Sequence, residues 1–488
     1  MAFYCLVGIV TLASLRGLVR WRDGLFGIVV IAAVQDPLRK LVPGAPGYLV
    51  LATLPVLLVA VASLMVSTPG WWHRFARAFP KIRRSVLLLV VACLPAAALS
   101  AFYGPGSWML TILGAVSYST VFLAVLLGFN FLRQPADLRR FLRFYCLVSA
   151  IMLSGALAEH FALWPDWEAI GTSALGNAWI RFVPGYQVQM ISGFYRSPDV
   201  MGWHAAATVM LATILVLTGR VQWRWIWVAV AAIGLIAVML CGRRKMVYML
   251  PLFASLFVLL TFIGTWRAGR LVRVALVLAV PLAGGLLLFD FLVPEEDTNV
   301  VRYYTETANQ TLDRLEQHGF QAVLETYRQT GFFGSGLGVA TPGSHLLRVD
   351  RPFVWQESGP SRVLVELGVL GMVAFLALVT SMLTSAWRVT VWHQRKRSPF
   401  ATYAAGLLAF FIANAGSLVV SGQILADPAI ATFLGLSVGF ILALGQPTVL
   451  GRSMVSTAIR SSTPARRSRH RFIVPSGQPD VAVASQPR

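Results

Sequence analysis

The chain is dominated by apolar runs, several of which continue for close to 20 residues without a charge. Residues 47–67 form one such run, and residues 399–422 form another. A helix of this length is enough to cross a hydrocarbon core about 30 Å thick. Only helices and closed barrels satisfy their backbone hydrogen bonds in lipid, and continuous rather than alternating runs favour helices. The sequence therefore predicts an all-α, polytopic bundle of transmembrane helices.

The composition supports a membrane protein over a soluble one. Of the 488 residues, 57% are hydrophobic and 12% are charged, which is more apolar surface than a soluble chain could bury. The formal net charge of +21 comes from basic residues in short loops, so it indicates membrane topology rather than nucleic-acid binding. The four cysteines form no CxxC pair, and we expect neither a disulfide framework nor a metal site. No cleavable signal peptide is expected.

Between 11 and 13 helices are predicted. Two short N-terminal runs, 2–15 and 24–38, form either a tilted hairpin or two short spans. The remaining predicted spans are residues 47–67, 85–103, 106–132, 144–164, 200–218, 225–242, 246–265, 274–293, 363–387, 399–421 and 424–446.

Arginine and lysine fall in every second loop, which sets the orientation in the plasma (inner) membrane. The basic loops are predicted to be cytoplasmic, and they contain Arg74 to Arg84, Arg133 to Arg143, Arg220 and Arg224, Arg267 to Arg273, and Arg388 to Arg397. The membrane domain is assigned to residues 1–446. The basic tail, residues 447–488, is predicted to be disordered and cytoplasmic.

One outward-facing loop is much longer than the others and spans residues 294–362. Residues 301–330 within it are predicted to form an amphipathic helix, because apolar residues recur at near-helical spacing. A glycine-rich stretch, residues 331–338, follows this helix. Its glycines would let backbone approach a ligand closely, although a plain loop at a helix end explains them equally well.

Three cations occur on the side that the positive-inside bias disfavours. Arg243, Arg244 and Lys245 lie in a hairpin with almost no loop, at the outer end of two predicted helices. Ionisable groups at this depth are candidates for function, and clustered guanidinium groups suit a phosphate or pyrophosphate. Arg196, before another outer helix start, is predicted to join them, with Asp199 and His204 nearby. The alternative is anchoring to lipid headgroups.

A carboxylate near the end of the long loop is a candidate general base. Glu357 precedes the predicted helix that contains Arg362 and Glu366. A base needs reach and a tuned pKa, both of which Glu357 could have at the membrane surface. A structural pair with Arg362 is the alternative for Glu357, and it is the preferred interpretation for Glu366, which lies four residues after Arg362.

These motifs, taken in order, resemble the bacterial O-antigen polymerase and O-antigen ligase superfamily. Four segments carry the resemblance, namely residues 193–202 (GFYRSPDVMG), 242–245 (GRRK), 333–338 (FGSGLG) and 365–371 (VELGVLG). The match covers residues 190–375, and the N-terminal helices match only in hydropathy. Ligases of this family usually carry a histidine-containing pair at the position of Glu357, so a histidine base cannot be transferred to this chain.

The resemblance implies a GT-C-like, metal-independent membrane glycosyltransferase without a cofactor. Its substrate would be an oligosaccharide on undecaprenyl pyrophosphate, and its acceptor a second glycan, in exopolysaccharide or O-antigen synthesis. Arg243, Arg244 and Glu357 would be catalytic, and Arg196, Lys245, Asp199, His204 and Arg362 would bind substrate. The Trp355-x-Glu-Ser pattern favours a polymerase over a ligase, and other polysaccharide export proteins are expected partners.

Two rival functions remain open from the sequence. One is a transporter or flippase of lipid-linked glycan, although such proteins usually place polar sites at the membrane midplane within inverted repeats. No clear repeat is visible here. The other is a non-catalytic assembly protein of the same fold.

Overall fold

A computed structural model describes most of the chain as a bundle of apolar helices. It covers residues 1–163, 169–176, 179–219, 221–264, 302–304, 306, 316–347, 349–350, 356, 358–422, 425 and 427–446. Within these ranges nine helices are long and apolar enough to cross a membrane, and two further apolar helices have 17 residues each. The predicted all-α, multi-pass membrane architecture is therefore confirmed.

The first eight helices lie within residues 2–218. They are α1 (Ala2–Val19), α2 (Trp21–Lys40), α3 (Thr53–Ser67, preceded by the 3-10 turn Gly47–Leu51), α4 (Trp71–Ala78), α5 (Pro80–Ser100), α6 (Trp108–Phe131), α7 (Pro135–His160) and α8 (Pro198–Thr218).

A short antiparallel hairpin, β1 (Ile180–Val183) and β2 (Tyr186–Gln189), lies between α7 and α8, with Val183 opposite Tyr186. The later helices are α9 (Arg224–Leu240), α10 (Arg244–Gly264), α11 (Ala322–Thr330, preceded by a π-helical turn at Glu316–Gln321), α12 (Gly359–Arg395), α13 (Ala401–Val420) and α14 (Pro428–Leu444).

Most predicted spans agree with these helices to within a few residues, and the differences have simple causes. The two N-terminal runs form full helices, because α1 and α2 extend through the charged residues at their ends. Helix α7 begins at Pro135, earlier than predicted, since Asp137 and Gln134 form a capping box that starts it in the basic loop. The amphipathic α4 within a basic loop was not predicted. The predicted span 274–293 and the tail lie outside the described residues.

Small residues let two central helices pack closely. A Cβ on Gly435 would lie 2.2 Å from the Val121 carbonyl oxygen, and a Cβ on Gly439 would lie 2.4 Å from that of Val125. Without a hydrophobic driving force between helices in lipid, such close backbone contact supplies much of the attraction. Helices α6 and α14 therefore form a tightly packed pair in the bundle.

Helix α12 is broken at Gly368, where the backbone has a φ of +66°. The glycine-rich stretch enters this break. Ser335 N–H donates to the Val365 carbonyl at 2.6 Å, and Val369 N–H donates to the Phe332 carbonyl at 2.8 Å. The break would otherwise leave these backbone groups unpaired within the bundle. Residues 331–338 therefore fill the break, and we call them the plug. Their glycines let this backbone approach the neighbouring helices closely.

The same stretch also reaches α5 and α6. Leu337 N–H donates to the Ala96 carbonyl at 2.9 Å, and Ser100 Oγ donates to the Leu337 carbonyl at 2.7 Å. Tyr103, in the turn before α6, donates its Oη to the Ser335 carbonyl at 2.6 Å, and Gly338 lies against Leu110 and Gly114 of α6. One segment of the long loop thus joins three membrane helices at one end of the bundle.

Candidate functional site

The α9–α10 hairpin holds the three cations singled out in the sequence. Arg243, Arg244 and Lys245 are all partly exposed there. Arg243 lies with its guanidinium carbon 5.6 Å from the centre of the Trp179 ring, and that of Arg244 lies 4.9 Å from the Tyr303 ring. Cation–π contact with these rings holds the guanidinium groups at the mouth of the hairpin.

A single buried carboxylate joins two of these cations to α8. Asp199 Oδ2 is 2.8 Å from Arg243 Nη2, and its Oδ1 is 2.7 Å from Lys245 Nζ. Asp199 lies in the first turn of α8, after the N-cap Ser197. Lys245 Nζ also donates to Ser421 Oγ at 2.9 Å. The predicted set Asp199, Arg243 and Lys245 is thus brought together, with two cations sharing one carboxylate.

Arg196 is placed differently from the hairpin cations, although it is close in the chain to Asp199. Its Nη1 is 3.1 Å from Asp36 Oδ1, and its Nη2 contacts Asp427 Oδ2. Its backbone N–H also donates to Asp36. Both ends of the guanidinium are therefore occupied by carboxylates from α2 and from the start of α14.

The charges in this triad stabilise each other. Burial would raise the pKa of Asp427, but the Arg196 guanidinium and the Ile430 N–H lower it, so the net shift is below the ordinary value. For Arg196 burial would lower the pKa, whereas Asp36 and Asp427 raise it, and the net shift is upward. Both shifts favour the charged forms of Arg196 and Asp427, and the triad ties together α2, the segment before α8 and the start of α14.

Lys40 and Glu159, neither of them a predicted site residue, hold the segment before α8. Lys40 Nζ donates to the carbonyls of Ile170, Gly171 and Gly193, at 3.0, 2.8 and 2.8 Å. Glu159 accepts from the N–H groups of Thr172 and Gly193, at 2.8 and 3.0 Å. Asp36 and Lys40 lie one turn apart on α2. Their charges at the end of an apolar run are the sequence feature that could have indicated a site here.

Arg362 lies in the interior, where protein groups occupy its donors. Its Nε is 3.4 Å from Glu366 Oε1, and its Nη2 donates to Ser117 Oγ at 2.8 Å and to Thr341 Oγ1 at 2.7 Å. The side chains of Arg362 and Glu366 are 1% and 0% exposed. The preferred structural pairing of Glu366 with Arg362 is confirmed, and Arg362 has no exposed surface to offer a substrate directly.

His204 is also buried, in an aromatic cluster. Its Nδ1 is 2.9 Å from Tyr145 Oη, and its ring stacks on Tyr195 with centroids 5.1 Å apart. With 4% of its surface exposed, His204 has little surface to offer a substrate directly.

The start of α12 and the cationic hairpin share one neighbour. Ser421 accepts from Lys245, and the adjacent Gly422 carbonyl accepts from Arg362 Nη1 at 3.4 Å. Ser358 caps α12 by accepting from Ser361 N–H at 3.1 Å. Glu357, the predicted base, lies outside the described residues, one position before this cap.

Comparison with known protein families finds no family whose sequence profile matches this chain, and comparison with curated proteins finds no match either. The site therefore has to be interpreted from its own geometry. Among the described residues there is no cluster of three or more histidine, cysteine or acidic side chains that could hold a metal ion.

Proposed function

We propose that the chain is a membrane glycosyltransferase that polymerises or transfers an oligosaccharide carried on undecaprenyl pyrophosphate, at the outer face of the plasma membrane. The observation that carries the proposal is the α9–α10 hairpin. It presents Arg243, Arg244 and Lys245 at one partly exposed place, and Asp199 pairs with Arg243 and Lys245. A pyrophosphate is the lipid-linked group that such a cluster would bind best.

The helix geometry adds to this positive field. Helices α8, α10, α12 and α14 all begin at the end of the bundle that contains the hairpin, as the contacts of Asp199, Lys245, Arg362 and Asp427 show. Helix N-termini carry a partial positive charge and favour anions nearby. A leaving pyrophosphate would gain negative charge as the glycosidic bond breaks, and fixed cations would stabilise that charge without rearranging.

In this proposal the roles of the charged residues divide between the two clusters. Arg243 and Arg244 bind the pyrophosphate, and Lys245 holds Asp199 and Ser421 beside it. Arg196 acts through its triad, which fixes the segment leading to Asp199. Glu357 removes the proton of the acceptor hydroxyl, and direct displacement inverts the anomeric carbon. Polymerisation of repeat units is favoured over transfer to a lipid acceptor.

The experiment compares two double variants in cells at equal protein level. Arg243→Ala with Arg244→Ala removes the hairpin cations, and Arg83→Ala with Arg84→Ala removes an exposed pair from the opposite end of the bundle. We expect unextended repeat units on undecaprenyl pyrophosphate to accumulate at the outer leaflet only in the first variant. Full-length lipid-linked polymer that is not handed on would instead indicate a ligase.

Two outcomes would contradict the proposal. Normal surface glycan in the hairpin variant would make these arginines interface anchors. Accumulation at the cytoplasmic leaflet would support the rival flippase, because the substrate would then fail to cross the bilayer.

A further inference from the structure

Two phenylalanines in the long loop are exposed although they belong to a well-packed turn. Phe332 and Phe333 are 45% and 64% exposed, and their rings meet edge to face with centroids 5.3 Å apart. They lie in the first part of the plug, directly after α11. The sequence predicts that this region belongs to a loop outside the membrane, where a pair of exposed aromatic rings would be unfavourable.

The turn is fixed at a definite depth by a backbone hydrogen bond. The Phe332 carbonyl accepts from Val369 N–H at 2.8 Å. From Val369 to Arg388, the first cation further along α12, the helix rises about 28 Å at 1.5 Å per residue. This rise is close to the thickness of a hydrocarbon core, about 30 Å. The phenylalanine turn therefore lies at the outer boundary of the hydrocarbon.

The exposed surface of α12 begins at the same level. Residues 361–368, before the break, are all buried. After the break Leu370, Val373 and Leu376 are 53%, 61% and 52% exposed, and they form the stripe that a membrane helix turns toward lipid. Phe332 and Phe333 continue this stripe outward across the break.

Neighbouring aromatic residues mark the same boundary. The α5–α6 turn, which contacts the plug through Tyr103, contains Phe102, and α6 begins at Trp108; their exposures are 83% and 57%. Aromatic rings collect at membrane–water interfaces. On α11, Leu324 and Tyr327 are exposed beside the charged pair of Glu325 and Arg328, whose atoms are 3.6 Å apart. This helix thus has the mixed surface that suits the headgroup region.

We propose that the Phe332–Phe333 turn inserts into the outer leaflet and that phospholipid acyl chains cover both rings, with α11 lying at headgroup level. The long loop is then anchored to the bilayer beside α12 and is not free in the aqueous phase. The proposal rests on the depth and exposure of these residues, and it holds whichever reaction the cationic hairpin serves.

The test places a photoreactive p-benzoylphenylalanine at position 333 of the full chain, reconstituted in phosphatidylethanolamine and phosphatidylglycerol vesicles. Position 373 is the control for a lipid-facing site, and position 187, an exposed glutamine in the β1–β2 hairpin, is the control for a water-facing one. After irradiation, mass spectrometry measures the yield of phospholipid adducts. We expect the yields at 333 and 373 to agree within about two-fold and to exceed the yield at 187 about ten-fold.

The proposal is overturned if position 333 gives no more lipid adduct than position 187. Cross-linking of position 333 to a second copy of the chain in place of lipid would overturn it as well. All three substitutions are at exposed side chains, so the variants are expected to fold as the parent does.

Discussion

At the scale of single residues, the charged side chains at the hairpin end of the bundle divide into two kinds. Arg196 is enclosed by Asp36 and Asp427, and Arg362 is enclosed by Glu366, Ser117 and Thr341. In the hairpin, Arg243 and Lys245 instead share the single carboxylate of Asp199. Asp199 is itself buried, so removing either cation leaves it one partner in place of two, just as removing Asp36 or Asp427 does for Arg196. Variants of both clusters should therefore lose stability.

We expect Asp427→Asn to lower the apparent unfolding temperature of the protein in lipid nanodiscs. The amide can still cap α14 by accepting from the N–H groups of Ala429 and Ile430, so the substitution removes mainly the charge opposite Arg196. Loss of one partner from a buried pair costs about 3–5 kcal/mol, and the remaining Asp36 should keep the loss near the lower figure. Asp23→Asn, at an exposed position on α2, is the control.

The pH dependence of this difference follows from the lowered pKa of Asp427. A carboxylate whose pKa falls on folding contributes fully above its unfolded value of about 3.9, and the contribution is lost as the pH drops through the folded value. The difference in apparent unfolding temperature between the parent and Asp427→Asn should therefore stay constant from about pH 8 to about pH 5 and become smaller only below about pH 4. Narrowing at mildly acidic pH would contradict this electrostatic account.

At the scale of elements, the break in α12 and the glycine-rich stretch form one unit. Gly334 has a φ of +74°, and a Cβ there would lie 2.7 Å from both Gly368 N and the Val365 carbonyl oxygen. Gly176 has a similar φ of +70°, with no atom within 4 Å of the corresponding Cβ. Alanine substitutions at these two glycines therefore distinguish the free-energy cost of a left-handed backbone from the cost of close packing.

We expect Gly334→Ala to destabilise the protein much more than Gly176→Ala. Both substitutions carry the left-handed penalty of about 1–2 kcal/mol. Only Gly334→Ala also forces the plug out of the break, which adds about 1–3 kcal/mol of overpacking and leaves backbone groups unpaired. Thermal unfolding and the yield of monodisperse protein would measure the difference. Equal effects at the two positions would mean that the plug tolerates a methyl group.

At the scale of the whole molecule, the contacts bring together ends that the charge pattern predicts to be on one side. Lys40 of α2 meets Gly193 before α8, and Lys245 of α10 meets Ser421 after α13, so the ends of these four helices gather there. Arg362, in the first turn of α12, joins them through the Gly422 carbonyl. At the opposite end Arg22 is 3.9 Å from Asp137. This arrangement agrees with the alternation that the positive-inside pattern indicates.

Insertion of a short protease site at two exposed turns tests the orientation. A site at Gly176, between α7 and β1, should be cut by protease added to intact spheroplasts, whereas a site at Gly70, between α3 and α4, should be cut only after lysis. Immunoblotting of the fragments gives the result. Cleavage at Gly70 in intact cells would reverse the orientation and place the cationic hairpin in the cytoplasm.

The apolar runs and the loop charges were enough to predict the class of fold and most helix positions, because spanning length and charge asymmetry are local properties of the sequence. The i, i+4 spacing likewise predicted the pair of Arg362 and Glu366. The cations of the hairpin were also recognisable from the sequence, since their position conflicts with the charge pattern around them. These features need no knowledge of which helices touch.

The tertiary structure alone decided which charges are enclosed and which face outward. Asp36 and Arg196 are 160 residues apart, and Arg196 and Asp427 are 231 residues apart, so no local pattern could pair them. The same holds for the plug, whose glycines could not be matched to the break in α12 before the two segments were seen in contact. Long-range packing determines these pairings, because a buried charge or backbone group is stable only beside the partner that the folded bundle supplies.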